Sequence, residues 1–286
     1  MNPLLDIKDL SVSFAKEDGT LSHAVQGLSL KMGREKVGIV GESGSGKSLT
    51  ARAILGVQSS QAKVTAGHIR FDGIDLAAAT PAQLRALRGD RIGMIMQDPR
   101  HSLNPAHRIG DQIVESIRLG AAQSGQRLAR RAAWTKARDI LEAVDIRDPD
   151  RVLQLYPHEV SGGMGQRVMI AIAFVREPDL LIADEITSAL DVTVQARVLD
   201  VLDEMVSRRD MGLIFISHDL PLVSRFCDRV LVMYAGRVVE EIAARDLAKA
   251  THPYTKGLLR CIPRIDGPQE PLPILQREAS WLEPPP

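Results

Sequence analysis

The sequence predicts an α/β fold with a mostly parallel sheet, an antiparallel β subdomain at its N-terminal end and an inserted helical subdomain. Three observations predict it. Short apolar runs alternate with helical patterns along much of the chain, which is typical of a parallel sheet. Within the first 35 residues, two strand patterns at 7–14 and 23–32 are separated by the turn-forming KEDGT. Residues 99–177 show helical patterns rich in Ala, Arg, Leu and Gln.

The other elements follow in chain order. A buried-strand pattern at residues 35–40 leads into a glycine-rich turn, and we predict a helix from Lys47 to about Leu55 with Gly56 as its C-cap. After residue 262 the chain is rich in proline, so we expect a poorly packed tail. Further strands are predicted at residues 67–76, 91–97, 179–184, 212–217 and 229–234. The predicted domains are a core of residues 1–98 and 178–245, a helical subdomain of residues 99–177 and a C-terminal extension of residues 246–286.

Composition excludes several classes of protein. The 286 residues carry 36 Lys and Arg against 36 Asp and Glu, which argues against a nucleic-acid binder with a broad basic face. Aromatic residues make up 3% of the chain, too few for extensive base stacking. The longest apolar run, 168–175, is far shorter than the roughly 20 residues of a membrane-spanning helix. With no visible secretory signal and two scattered cysteines, we expect a cytosolic protein.

Residues 41–48, GESGSGKS, match the phosphate-binding pattern G-x-x-x-x-G-K-[ST] between an apolar strand and a helix. Glycines let successive N–H groups curve around a phosphate, and the helix N-terminus favours the anion. We therefore predict a P-loop NTPase core. In it, Lys47 would reach the β- and γ-phosphates and Ser48 would ligate Mg²⁺. The predicted nucleotide-binding residues of the loop and helix start are Gly41, Ser43, Gly44, Ser45, Gly46, Lys47, Ser48 and Leu49.

A second element is the apolar strand LLIADE at residues 180–185, which ends in two carboxylates. Placed beside a P-loop, Asp184 would hold Mg²⁺, through water, and Glu185 would orient and polarise the attacking water. Strands that simply end in solvated acids are common. The presence of the P-loop favours the catalytic interpretation.

The third element is VSGGMGQR at residues 160–167, where a Ser-Gly-Gly opens an apolar helix 23 residues before Asp184. A hydroxyl and several N–H groups at a helix start can bind an anion. The order of these elements resembles the ATP-binding subunits of ABC transporters, whose signature has the form LSGGQ. Three further positions match the family pattern: Gln97 as the Q-loop glutamine, residues 188–191 (SALD) as the D-loop and His218 as the switch histidine.

The resemblance implies a mechanism that needs two such domains, which enclose two ATP molecules head to tail. It implies that the signature and D-loop residues act on the ATP of the partner domain: Ser161, Gly162, Gly163, Met164 and Asp191. It implies catalytic roles for Glu185, His218, Gln97 and Lys47, and Mg²⁺ ligation by Ser48, Gln97 and Asp184. For the aromatic that stacks on adenine, Phe14 is the first candidate and His23 a poorer one. A core role for Phe14 stays open.

The sequence is most similar to the subgroup that serves dipeptide, oligopeptide and nickel importers, and within it to the first of two paired ATPase subunits. The similarity rests on MIMQDPRHSLNP (94–105), YPHEVSGGMGQRVMIAIA (156–173), DVTVQARVLDVL (191–202) and HPYTKGLL (252–259). In this subgroup, methionine commonly stands at the position of Met164. Val160 and Ile186 depart from the usual Leu and Pro. Because only Cys261 lies near the C-terminal end, we expect no iron–sulfur cluster.

The resemblance also implies partners: a second homologous ATPase subunit, two transmembrane permease subunits and an extracytoplasmic solute-binding protein, with no nucleic acid. The chain would then lie on the cytoplasmic face of the membrane as a peripheral subunit. Peptide is the first choice of solute, and nickel or a metallophore is the alternative. A soluble ABC ATPase of the translation or DNA-repair type is a further alternative. A P-loop kinase or GTPase is disfavoured by the SGG signature and by the lack of a base-reading lid pattern.

Overall fold

The computed structural model describes residues 2–188, 190–262 and Trp281. The chain forms two compact units, Met1–Ala78 with Phe215–Pro286, and Ala79–Ile214. We call these unit 1 and unit 2. Among the described residues, no helix combines the length and the apolar character needed to cross a bilayer.

Both units contain strands and helices. In chain order the strands are β1 (Leu5–Ala15), β2 (Leu21–Met32), β3 (Lys36–Val40), β4 (Ala62–Thr65), β5 (His68–Phe71), β6 (Ile74–Asp75), β7 (Ile92–Ile95), β8 (Leu180–Asp184), β9 (Gly212–Ile216), β10 (Arg229–Tyr234) and β11 (Arg237–Ala243). The α-helices are α1 (Lys47–Leu55), α2 (Pro81–Leu87), α3 (Pro99–Ser102), α4 (Ile109–Gln123), α5 (Arg130–Ala143), α6 (Pro149–Gln154), α7 (Gly162–Phe174), α8 (Val192–Arg208), α9 (Leu220–Phe226) and α10 (Pro253–Arg260). Short 3₁₀ helices cover Pro157–Glu159 and Ala244–Lys249.

Unit 1 contains an antiparallel sheet in the order β2-β1-β5-β6, with β4 also paired to β1. This confirms the predicted antiparallel β segment. Within the same unit, β3 pairs in parallel with β10, which pairs antiparallel with β11. Helix α9 packs closely on β3, because a Cβ added at Gly38 would lie 2.3 Å from Val223 Cγ1 and 3.3 Å from Cys227 Sγ. The strand that leads into the glycine-rich turn is therefore buried beneath a helix.

Unit 2 contains the parallel pair β7–β8 and the helices α2 to α8. Helices α4 and α5 each bury a stripe of residues spaced four apart, the pattern of a core-facing helix. The buried residues are Ile109, Ile113 and Ile117 on α4 and Ala133, Ala137 and Leu141 on α5. A Cβ added at Gly110 of α4 would lie 2.6 Å from both Leu153 O of α6 and Trp134 Cη2 of α5. Helices α5 and α6 therefore approach α4 closely at that glycine. The predicted helical character of residues 99–177 is confirmed.

Several elements differ from the sequence-based prediction. The single strand predicted at residues 67–76 is wrong, because Asp72 and Gly73 have φ of 47° and 81° and turn the chain into the hairpin β5–β6. Asp-Gly is a strong signal for such a turn. Strands β4 and β11 and helix α2 were not predicted. Helix α2 begins at a capping box between Thr80 and Gln83, which is a recognisable start signal.

The C-terminal tail differs from expectation at one described residue. Trp281 is 6% exposed. Its ring centroid lies 5.5 Å from that of Tyr234 and 5.6 Å from that of Tyr254. The expectation of a poorly packed tail is wrong at this position, because an aromatic side chain finds an aromatic partner surface. The tail residues 263–280 and 282–286 lie outside the described residues.

Candidate functional site

The loop at residues 41–48 has a backbone that only glycine can adopt at two positions. Gly41 and Gly46 have φ of 152° and 101°. A Cβ would lie 2.1 Å from Met233 O at Gly41 and 2.5 Å from Ala24 O at Gly46. Both oxygens are backbone atoms of unit 1 strands, so they cannot move aside as the end of a flexible side chain could. The glycines therefore permit both the turn and its close approach to the sheet.

Helix α1 begins and ends where the sequence predicts. Gly46 is the N-cap and Lys47 the first helical residue, while Gly56 ends the helix with φ 62°. Ser43 and Gly44 are exposed at the crest of the loop, and Ser48 and Leu49 are half-buried in the first turn. Because the first N–H groups of a helix have no intrahelical partner, this end of α1 is suited to an anion.

Lys47 is 5% exposed, and its ammonium group is folded back onto the loop. Nζ donates to Gly41 O at 2.8 Å and to Glu42 O at 2.9 Å. Ser45 is 3% exposed, and its buried Oγ has no hydrogen-bond partner among the residues that the structure describes. Buried hydroxyls almost always have a partner. A buried hydroxyl without a described partner, on the loop that also carries the buried Lys47, fits phosphate oxygens, and phosphate binding by this loop stays a prediction.

Three other predicted residues lie in unit 1. His218 is exposed and directly follows Ser217, whose N–H donates to Ile39 O at 3.2 Å. Since Ile39 is two residues before Gly41, His218 emerges at the same strand end as the P-loop. Phe14 is half-buried on β1, opposite Ser22 of β2, and His23 is exposed on β2. Their roles toward adenine stay predictions.

Unit 2 brings Gln97 and Glu185 together. In the parallel pair β7–β8, Ile95 stands opposite Ala183, so the residues two positions further on leave the sheet at the same edge. Gln97 Nε2 donates to Glu185 Oε2 at 3.1 Å and to Ser188 Oγ at 3.3 Å. Ser188 Oγ in turn donates to Glu185 O at 3.0 Å. The carboxylate is thus held by an amide.

Glu185 also has an unusual backbone. Its φ is 48°, a left-handed conformation that is uncommon for a non-glycine residue and is often found at functional sites. Asp184, the last residue of β8, is 5% exposed, and Ile186 is 1% exposed. Ile186 stands where the family commonly has proline. Burial of its side chain anchors the segment after Glu185 in place of a rigid ring.

The signature residues form the exposed N-terminus of α7. Ser161 is the N-cap, and its Oγ accepts from Met164 N at 3.3 Å. Ser161 and Gly162 are exposed, while Gly163 and Met164 are half-buried. A Cβ at Gly163 would lie 2.7 Å from Val194 Cγ1, so α7 and α8 approach closely there. Among the signature residues, Ser161 and Gly162 therefore offer the most accessible surface.

Asp191 is the N-cap of α8, where its Oδ1 accepts from Thr193 N and Val194 N, each at 3.1 Å. The D-loop aspartate therefore has a local structural task that the sequence analysis did not assign. The next residue, Val192, is 83% exposed, so the D-loop side of unit 2 is solvent-facing. Ala189, within the predicted D-loop, lies outside the described residues.

Sequence reasoning missed two contacts in these regions. The hydroxyl of Ser188 completes the Gln97–Glu185 group. Tyr254, of the HPYT segment, accepts a hydrogen bond from Glu42 N at 3.1 Å. The acceptor and donor are 212 residues apart, and no local pattern indicates such a pair.

The comparisons with known proteins agree with this geometry. The family model described as ABC transporter matches residues 25–188. A probable peptide ABC transporter ATP-binding protein, y4tR, from Sinorhizobium fredii is 46% identical over 94% of this chain and 80% of that protein. The oligopeptide transport ATP-binding protein OppD from Haemophilus influenzae is 44% identical over 95% of this chain and 83% of that protein.

Among solved structures, the ATP-binding cassette MJ0796, in a dimeric post-hydrolysis state bound to ADP and Pi, has a TM-score of 0.75. It is 24% identical and covers 84% of this chain and 99% of that chain. That likeness confirms the predicted fold. The family match and the relatives at 44–46% identity show that the chain belongs to the ABC transporter family and is one of its ATP-binding ATPase subunits.

Proposed function

We propose that this chain hydrolyses ATP to drive peptide import through a membrane transporter. The observation that carries the ATP-binding role is the loop at residues 41–48, where Lys47 and Ser45 are both buried and the Ser45 hydroxyl has no partner within the described part of the chain. Peptide as the solute is supported by the names of relatives that this chain matches over about four fifths of their length. Nickel or a metallophore is the alternative solute from the sequence.

In the proposed mechanism the P-loop binds the phosphates of ATP through its N–H groups. Lys47 exchanges its bonds to the carbonyls of Gly41 and Glu42 for the β- and γ-phosphate oxygens, where its charge stabilises the triphosphate. Stacking of adenine on Phe14 belongs to the same proposal. His218 would contact the γ-phosphate. These residues bind and orient the nucleotide.

Ser48, Asp184 and Gln97 are the proposed Mg²⁺ ligands. All three carry side-chain oxygens, the donor type that Mg²⁺ prefers. Held by these residues, Mg²⁺ would supply positive charge that offsets the negative charge developing on the phosphates. The Gln97 side chain can make both contacts at once. Its Nε2 donates to Glu185, while its Oε1 is the oxygen that would bind Mg²⁺.

Glu185 is the proposed general base. Its carboxylate accepts a proton from water as the water oxygen attacks the γ-phosphorus, the bond to the bridging oxygen breaks, and ADP and phosphate are released. The hydrogen bond from Gln97 restrains Glu185 Oε2 and thereby the orientation of the carboxylate. A positioned base of this kind contributes about 10²- to 10⁴-fold to a rate.

The exposed signature N-terminus and the exposed residues around Asp191 support an association with a second ATPase subunit. We infer a heterodimer with a homologous subunit, bound to two permease subunits and served by an extracytoplasmic solute-binding protein. The chain would then lie on the cytoplasmic face of the membrane. Its N–H groups at Ser161–Gly162 would approach the ATP of the partner only when the dimer closes, so binding energy is converted into closure.

Affinity purification of the tagged full chain from membranes tests this proposal. We expect two multispanning membrane proteins and a second ATPase subunit to copurify. In proteoliposomes made from that complex, peptide-loaded binding protein should raise the ATPase rate. Recovery with ribosomes or DNA and without membrane partners would contradict the transport function, and stimulation by nickel-loaded protein instead would replace the solute.

A further inference from the structure

The HPYT segment of the C-terminal extension lies against the P-loop within unit 1. Tyr254 is 0% exposed, and its Oη accepts a hydrogen bond from Glu42 N at 3.1 Å. Glu42 is the first variable position of the GESGSGKS loop. A residue of the C-terminal extension thus contacts the backbone of the predicted phosphate-binding loop directly.

The amide that donates to Tyr254 belongs to the same peptide group that holds Lys47. That peptide joins Gly41 to Glu42, and its carbonyl oxygen, Gly41 O, accepts from Lys47 Nζ at 2.8 Å. A peptide group is planar, so its N–H and C=O turn together. Rotation of this plane would break the bonds to Tyr254 and Lys47 at once. Because Gly41 precedes the plane and has unusual backbone freedom, an external bond is needed to select one orientation.

The position of Tyr254 is itself determined from several sides. It is the second residue of α10, whose N-cap His252 accepts from Tyr254 N at 3.2 Å through Nδ1. The start of the helix is tied to β11, because Glu240 Oε1 accepts from Thr251 N at 2.6 Å and from His252 N at 3.3 Å. The phenol is therefore carried by a helix with an anchored N-terminus.

The ring of Tyr254 is held by two other aromatic residues. Its centroid lies 4.5 Å from that of Tyr234, at the end of β10, and 5.6 Å from that of Trp281. The turn after Tyr234 contacts the P-loop as well, since Gly236 N donates to Ser45 O at 3.2 Å. Aromatic packing of this kind restricts motion of the Tyr254 ring, so the position of its hydroxyl is fixed.

We infer that Tyr254 is a positioning residue for the P-loop: its hydroxyl fixes the Gly41–Glu42 peptide plane and thereby the loop that receives the ATP phosphates. The inference rests on the proposed role of residues 41–48. It assigns the HPYT segment a task inside the ATPase unit itself. The hydroxyl acts through the loop backbone, without contact to the nucleotide.

The test compares Tyr254→Phe with wild type and with two controls, all as the full chain. Tyr254→Phe removes one oxygen and keeps the ring. Tyr234→Phe removes a hydroxyl from the same aromatic cluster and leaves Tyr254 with its bond from Glu42 N in place. Lys47→Ala tests the P-loop itself. ATP affinity is measured by titration calorimetry, and amide hydrogen exchange is followed for the peptide that contains residues 41–48.

We expect Tyr254→Phe to weaken ATP binding by about three- to tenfold, the effect of one lost hydrogen bond. Exchange in residues 42–45 should become faster, while Tyr234→Phe resembles wild type in both measurements. Hydrogen exchange on the folded molecules keeps the test valid if the variant unfolds at lower temperature, because a purely structural loss would accelerate exchange across α10 and β11 as much as in the loop.

The outcomes distinguish failure of the positioning role of Tyr254 from failure of the ATP-binding role of residues 41–48. If Lys47→Ala weakens ATP binding but Tyr254→Phe equals wild type in affinity and in loop exchange, the role of Tyr254 is overturned and the P-loop stands. If Lys47→Ala also binds ATP as wild type does, the proposed role of residues 41–48 fails. Equal effects of Tyr254→Phe and Tyr234→Phe would assign the result to packing of the cluster and overturn the positioning role.

Discussion

Gln97 Nε2 lies 3.1 Å from Glu185 Oε2, so the Q-loop glutamine and the proposed general base form a hydrogen-bonded pair within unit 2. The pair follows from the parallel register of β7 and β8, in which Ile95 stands opposite Ala183. An amide that donates to a carboxylate restrains it without a change of charge. The pair therefore links a proposed Mg²⁺ ligand to the proposed general base.

Replacing Gln97 by alanine should slow ATP hydrolysis more than it weakens ATP binding. Loss of a hydrogen bond to a charged group costs about 1.5–3 kcal/mol, which is about ten- to hundredfold in rate. Steady-state ATPase assays and ATP titrations on the reconstituted complex check this. Gln154→Ala on α6, a glutamine that bonds Arg108 at the surface, is the control. Equal ATPase rates in the two variants would show that the pair has no catalytic role.

Glu185→Gln should keep ATP binding and lower the turnover rate by about 10²-fold or more, because the amide cannot accept a proton from water. The variant should accumulate as an ATP-bound closed dimer, observed by size-exclusion chromatography with ATP present. Glu204→Gln on α8, whose side chain is 54% exposed, should behave as wild type. ATP turnover at the wild-type rate in Glu185→Gln would assign the general base to another residue.

Lys47→Ala should weaken ATP binding by about tenfold or more, since it removes a charge-assisted contact to the phosphates. The chain should still fold, because the glycines that shape the loop are unchanged and the ammonium donates to the loop carbonyls Gly41 O and Glu42 O at 2.8 and 2.9 Å. Lys16→Ala, at an exposed position of the same unit, is the control. Titration calorimetry with ATP measures the difference, and an unchanged affinity would refute the phosphate role.

Glu240 makes the stability of unit 1 depend on pH. Burial acts to raise the pKa of Glu240, but the neighbouring Thr255 hydroxyl and the hydrogen bonds from Thr251 and His252 outweigh it and lower the pKa below the ordinary glutamate value. A lowered folded-state pKa stabilises the protein above the unfolded pKa of about 4.3, and the contribution is lost as the pH falls through the folded value. Glu240→Gln should thus destabilise the protein most near neutral pH.

Urea unfolding at a series of pH values from neutral to acidic measures this effect. The difference in midpoint between wild type and Glu240→Gln should shrink as the pH falls below about 4.3, because the wild-type carboxylate then becomes neutral. Glu17→Gln, at an exposed position of the same unit, controls for a general change in charge. A difference that stayed constant across the series would mean that the ionised carboxylate does not anchor the HPYT segment.

Much of the fold was predictable because its signals are local. The limits of α1 follow from Gly46 and Gly56, whose positive φ values suit glycine at helix ends. The antiparallel pairing of β1 and β2 follows from two strand patterns around a turn. The hairpin β5–β6 was missed although Asp72-Gly73 is a local signal, because the apolar pattern on both sides read as one strand. Strand β11 was missed because its burial does not alternate clearly.

The sequence by itself determined the chemistry of this protein: a P-loop, an acidic strand end, a signature helix and the order in which they occur. Each depends on residue types within a few positions of one another, where backbone conformation and side-chain reach are set locally. Only the tertiary structure decided that Gln97 holds Glu185, that Trp281 packs on Tyr254 and that Tyr254 reaches Glu42. Those contacts join residues far apart in the chain, and they arise from strand register and close packing, which no local pattern encodes.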